Sequence, residues 1–129
     1  ICVALLDIDN FKRLNDTYGH STGDEALIHL TQGIRANLRP NDTAARLGGE
    51  EFVILYPETD LEEAQLALIR LQRALTKAYF LANEQKLLIT FSAGVTLWQP
   101  GEALNAALNR ADEAMYEAKQ TGKNKVVAH

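Results

Sequence analysis

The chain has 129 residues, 47% hydrophobic and 23% charged, which is enough for one compact core and too little for two domains. Its formal net charge of -4 and pI near 5.3 exclude a surface built to neutralise a nucleic-acid backbone, which needs clustered Lys and Arg in excess. An anionic ligand would need the help of metal cations, and the single cysteine, Cys2, excludes an internal disulfide and reads as a small buried apolar residue.

The opening run, Ile1-Cys2-Val3-Ala4-Leu5-Leu6, is short and apolar and is followed by Asp7-Ile8-Asp9-Asn10. It predicts a buried strand leading into a helix capped by Asp9 or Asn10. Phe11, Leu14 and Tyr18 lie at helical spacing before Gly19. Thr22-Gly23-Asp24-Glu25 then offers a capping box for a second helix carrying Ala26, Leu27, Leu30, Ile34 and Leu38, ended by Pro40. Two strands, about 43–47 and 51–56, are joined at Gly48-Gly49, a dipeptide that tolerates the positive φ angles of a tight hairpin. Asp60 and Glu63 predict the cap of a helix with Leu61, Ala64, Leu68, Leu71 and Leu75 on one stripe, extending to about Leu81. From Leu87 to Trp98 the period falls to two, predicting one strand with one face more buried. A last helix carries Leu104, Ala107, Leu108, Ala111 and Met115, is closed by Gly122, and leaves Val126-Val127 for an edge strand.

The order β-α-α-β-β-α-β-α-β contains the split βαββαβ motif and predicts an α+β fold. In such a sheet the first strand runs parallel to the strand before the hairpin, so Asp7 approaches the Glu50-Glu51 tip. Three carboxylates, Asp7, Glu50 and Glu51, then converge at one edge. That repulsion calls for a hard cation such as magnesium, unless the groups are merely solvated turn and capping residues. The helix start at Asn10-Phe11-Lys12 offers free N–H groups for phosphates. Lys119 and Lys123 sit at another helix terminus, where cations often only oppose the helix dipole.

Asp7-Ile8-Asp9-Asn10-Phe11-Lys12, Asn15-Asp16-Thr17-Tyr18-Gly19-His20, Gly23-Asp24, Arg46 to Phe52, Ser92-Ala93-Gly94-Val95 and Ala111 to Lys119 stand in register along essentially the whole chain. Together they closely resemble the GGDEF family, in its GGEEF variant. The resemblance implies a nucleotidyl-cyclase-like palm, with a central, mostly antiparallel five-stranded sheet surrounded by helices. It also implies a diguanylate cyclase that fuses two GTP molecules into cyclic di-GMP with release of pyrophosphate, across a homodimer of domains.

Position by position, the resemblance implies that Asp7, the Ile8 carbonyl and Glu50 hold Mg2+ (or Mn2+), and that Glu51 activates the 3'-hydroxyl or completes the metal site. Asn15 and Asp24 correspond to the guanine-reading pair. A carboxylate accepts from guanine N1–H and its exocyclic amine, and adenine lacks that donor pair. Asn10, Phe11, Lys12, Gly48, Gly49, Lys119 and Lys123 correspond to substrate contacts, with Lys123 standing where many relatives carry Arg. Arg39 and Asp42 form an R-x-x-D pattern at the distance before Gly48 where the family's product-inhibition site occurs, with Arg70 as a supporting arginine; standing alone, such a pair would be an exposed salt bridge.

The expectation is a single GGDEF catalytic domain over 1–129, without the family's leading helix and Asp-x-Leu-Thr-x-Leu-x-Asn-Arg stretch, and without an upstream regulatory domain. The start without Met, directly in an apolar run, points the same way, to a longer parent. No apolar run reaches the roughly 20 residues that span a bilayer, and no signal peptide opens the chain, so the expected location is cytoplasmic, with no membrane contact by this domain and a membrane-tethered parent left open. The rival readings are a GTP or cyclic di-GMP sensor without chemistry, and an adenylate-type cyclase on the same palm. The intact turn with Asp7 disfavours the first, and Asn15 with Asp24 disfavours the second.

Overall fold

Strand β1 (Cys2–Ile8) is buried along its whole length, which is why its sequence is a continuous apolar run rather than an alternation. In the computed structural model, which describes residues 1–129, it is followed by α1 (Phe11–Tyr18), α2 (His20–Asn37), β2 (Thr43–Gly48), β3 (Glu51–Tyr56) and α3 (Leu61–Lys77). Then come β4 (Phe80–Ala82), β5 (Gln85–Leu87), β6 (Phe91–Leu97), α4 (Leu104–Gln120) and β7 (Val126–Ala128). The five-stranded sheet has the order β2-β3-β1-β6-β7, antiparallel except for the β6–β7 pair. The fold is α+β, as the element order predicts.

The parity of β1 sets the layers. Cys2, Ala4, Leu6 and Ile8 join Leu30 and Ile34 of α2 and Leu68 and Leu71 of α3 in the main core, whereas Leu5 packs with Ala111 and Met115 of α4 on the other face. Asp7 shares the parity of Leu5 and therefore faces α4. That helix lies unusually close to the sheet. A Cβ on Gly94 of β6 would stand 2.0 Å from the Ala111 carbonyl oxygen and 2.3 Å from the Met115 nitrogen. Only glycine permits this approach, and the buried Ala107, Ala111, Ala114 and Ala118 continue the small-residue contact along α4.

Local chemistry explains where the elements differ from their predicted bounds. Asp60 does cap α3, accepting from the Glu63 N–H at 2.8 Å. That helix ends at Lys77 rather than near Leu81, because Phe80–Ala82 pairs with Gln85–Leu87 as a small antiparallel hairpin turning on Asn83 and Glu84, both at positive φ. The predicted continuous strand from Leu87 to Trp98 is thus two strands, and Phe91–Thr96 is buried on both faces, not one. The predicted capping box at Thr22 lies inside α2, which begins at His20 after Gly19. The Thr22 hydroxyl instead donates to the Tyr18 carbonyl at 3.3 Å. No helix is long and apolar enough to cross a membrane.

Candidate functional site

The site forms where β1 ends. Asp7 is the cross-strand partner of Glu51 on one side and of Ser92 on the other, and the Ile8 N–H donates to the Glu50 carbonyl at 3.3 Å. Gly48 and Gly49 turn the hairpin at φ 151° and 51°, and a register shift between Arg46 and Gly48 bends its tip. Arg46 Nε donates to the Gly49 carbonyl at 2.8 Å, tying the tip to its own strand.

The three carboxylates reach one edge, as the topology requires, but no three acidic, His or Cys side chains gather tightly enough to form a metal cluster by themselves. A cation from the chain stands in the way: Lys119 Nζ lies 2.8 Å from Asp7 Oδ2. Like charges hold apart unless something between them is positive. Asp7 nevertheless has its pKa raised, first by burial and then by the charges of Glu50 and Asp9, against the pull of Lys119. Glu51 is raised as well, by burial first and by Asp112 and Asp7 next. The other oxygen of Asp7, Oδ1, is buried with no hydrogen-bond partner. An all-oxygen set of Asp7, the Ile8 carbonyl, Glu50 and Glu51 fits a hard cation such as magnesium, and the orphaned Oδ1 is an atom that such a cation would satisfy.

Asn15 Oδ1 is the second buried side-chain atom without a partner. It rests on Gly23, where a Cβ would stand 1.8 Å away, so glycine is what lets α1 and α2 meet with the Asn15 amide between them. Asp24, the next residue of α2, is exposed on the same junction. The requirement for Gly23 is invisible in helical periodicity, which registers it only as a poor helix former.

Asn10 precedes α1 in the left-handed conformation, φ 57°, but its side chain caps no N–H; its Oδ1 accepts from Lys123 Nζ at 2.7 Å. Phe11 and Lys12 form the first turn, with Lys12 exposed. Asp9 is not the helix cap that its position allows. It is buried, and accepts from Thr90 Oγ1 at 2.7 Å, Ser92 Oγ at 2.6 Å and the Asn124 N–H at 2.9 Å.

Arg39 and Asp42 lie at the opposite end of the sheet. Asp42, whose side chain is only 2% exposed, accepts from the Arg39 N–H at 2.9 Å, from Nε at 3.3 Å and from Nη2 at 3.2 Å. Arg39 Nη2 also donates to Thr59 Oγ1. Arg70 lines the same cleft, beside Glu63.

Residues 1–125 match the family model described as "Diguanylate cyclase, GGDEF domain", and the chain belongs to that family. Among its relatives is diguanylate cyclase DgcP of Pseudomonas aeruginosa, 44% identical over 126 residues, which cover 98% of this chain and 19% of that protein. Diguanylate cyclase DgcZ of Escherichia coli is 43% identical over 123 residues, 95% of this chain and 42% of that protein. The chain therefore spans about a fifth of the first relative and about two fifths of the second.

Two solved structures place it among palms of the same kind. The GGDEF domain of DgcB from Caulobacter crescentus, in complex with c-di-GMP, superposes with a TM-score of 0.94 at 35% identity, over 98% of this chain and 76% of that one. The active GGEEF domain of a diguanylate cyclase from Vibrio cholerae gives 0.90 at 32% identity, over 98% and 81%. The fold and family expected from the sequence motifs are borne out.

Proposed function

We propose that this domain condenses two GTP molecules into cyclic di-GMP and two pyrophosphates, each of two facing domains holding one nucleotide. The observation that carries this reading is the pair of buried, partnerless oxygens, Asp7 Oδ1 and Asn15 Oδ1, flanking a free helix N-terminus. Buried acceptors without partners cost free energy unless a ligand completes them. Here the completing groups fit a nucleotide: a cation at Asp7, a triphosphate at Asn10, Phe11 and Lys12, and a guanine edge at Asn15 and Asp24.

Asp7, the Ile8 carbonyl, Glu50 and Glu51 are the groups that would hold magnesium or manganese. The bound cation would polarise phosphoryl oxygens and offset their charge. Glu51, with a pKa raised by burial first and by the charges of Asp112 and Asp7 next, suits the acceptance of the proton from an attacking 3'-hydroxyl. The Gly48-Gly49 turn keeps that edge free of side chains where the nucleotide approaches. Lys119 and Lys123 supply positive charge, and Lys119 would exchange Asp7 for phosphate as the site fills. Because each 3'-hydroxyl attacks the α-phosphate held by the other domain, one domain carries half of the chemistry, and rate enhancement comes mainly from positioning. Product binding at Arg39, Asp42 and Arg70 would then provide inhibition remote from the carboxylates.

Incubation of the protein with GTP and magnesium, read by mass spectrometry, tests the activity. Cyclic di-GMP should form at a rate rising faster than linearly with protein concentration, and ATP should give no cyclic dinucleotide. No product from GTP under any magnesium or manganese concentration would overturn it.

A further inference from the structure

The turn between α4 and β7 holds two consecutive non-glycine residues in the left-handed region, Lys123 at φ 62° and Asn124 at φ 49°. In that region the Cβ of an L-residue crowds its own carbonyl, and such a turn persists only when its surroundings over-determine it. Two side chains distant in sequence do so. From the sheet, the Asp9 carboxylate accepts the Asn124 N–H at 2.9 Å while also accepting the Thr90 and Ser92 hydroxyls. From α3, Gln72 Nε2 donates to the Asn124 carbonyl at 2.5 Å and to its Oδ1 at 3.1 Å. The Lys123 N–H closes the helix end by donating to the Ala118 carbonyl at 3.0 Å. With the turn fixed on both sides, Lys123 Nζ is brought to 2.7 Å from Asn10 Oδ1, at the start of α1.

We infer that Asp9 and Gln72 are positioning residues for the nucleotide, clamping the Lys123-Asn124 turn from opposite sides so that the Lys123 ammonium is presented to the triphosphate. The inference rests on the phosphate-binding role proposed for Lys123. The chemistry of each clamp is specific. A carboxylate has lone pairs for three donors, whereas an asparagine at position 9 would offer one oxygen and turn an N–H2 towards a donor. Asp9 is fully engaged by these partners, so its part is to aim another residue. Gln72 is half-buried and its side chain hydrogen-bonds only to Asn124, so its loss leaves the site's own groups intact.

The test measures binding of a non-hydrolysable GTP analogue with magnesium to the 129-residue protein, its Lys123→Ala, Gln72→Ala and Asp9→Asn variants, and the Gln72→Ala/Lys123→Ala double variant. It is paired with amide hydrogen exchange at Asn124. Lys123→Ala should weaken binding about tenfold, and Gln72→Ala and Asp9→Asn about threefold or more. Gln72→Ala should also speed exchange of the Asn124 amide, and the double variant should bind no worse than Lys123→Ala alone. If Lys123→Ala binds as the parent does, the phosphate role of Lys123 fails and takes the inference with it. If Lys123→Ala is weakened but Gln72→Ala binds like the parent, or the two losses simply add, positioning by Gln72 is overturned while the phosphate role stands.

Discussion

The two ends of the sheet treat charge in opposite ways. At the far end from Asp7, Arg110 of α4 donates to Thr96 Oγ1, to the Leu97 carbonyl and to both oxygens of Glu102, all within 2.9 Å. Glu102 is held down to about 2 by that arginine first and by the Gln99 N–H next. Asp42 is likewise fully engaged by Arg39. At the near end, Asp7 and Glu51 are pushed up by burial and by like charges, and one oxygen of Asp7 has no partner. The same sheet thus ends in closed ion pairs on one side and in an incomplete carboxylate site on the other. Closed pairs stabilise the chain by themselves; incomplete sites leave room for a ligand to do so.

One helix serves both ends, since α4 carries Arg110 at the closed end and Lys119 at the open one. The largest effect on the contrast is therefore expected from Gly94→Ala. Its methyl would meet backbone atoms of α4 at 2.0 Å and 2.3 Å, so the helix must lift. A loss of about 3 kcal/mol is expected in urea unfolding, with both ends loosened together. A cost under about 1 kcal/mol would mean that α4 is not anchored at Gly94.

Next in size is Arg39→Ala, which leaves the nearly buried Asp42 carboxylate with one backbone donor. It should lower the urea midpoint and abolish cyclic di-GMP inhibition. Arg70→Ala should weaken cyclic di-GMP binding with stability nearly intact, which separates recognition from folding; unchanged affinity and inhibition in both variants would remove the inhibitory assignment.

The smallest effect is a pH dependence. Glu102 has its folded pKa lowered from the usual 4.5 to about 2, so the stability it contributes is present above about pH 4.5 and is lost as pH falls through about 2. The difference in urea midpoint between parent and Glu102→Gln should therefore be constant at neutral pH and shrink on acidification over that window. A difference that holds down to about pH 2 would show that the pair is not closed in solution.

Much of this contrast was legible in the sequence and part of it was not. The apolar run of β1, the Gly48-Gly49 hairpin and the Asp60 cap are local signals, and strand parity then brought Asp7 to Glu51. The β4–β5 hairpin was hidden because Phe80, Leu81 and Leu87 extend the patterns of their neighbours, and only the pairing across Asn83-Glu84 separates them. Asp9 looked like a helix cap because its real partners, Thr90, Ser92 and Asn124, lie 81, 83 and 115 residues away. Lys119 looked like a dipole-compensating cation and is instead the counter-ion of Asp7. Spacing along the chain carries no record of such long-range hydrogen bonds.

The open end is tested most directly by removing its base. Glu51→Ala should fold with a melting transition no lower than the parent's, because a raised carboxylate has been removed, and should form no cyclic di-GMP from GTP and magnesium, a drop of at least about a thousandfold. Cyclic di-GMP produced by Glu51→Ala at the parent's rate would contradict the account.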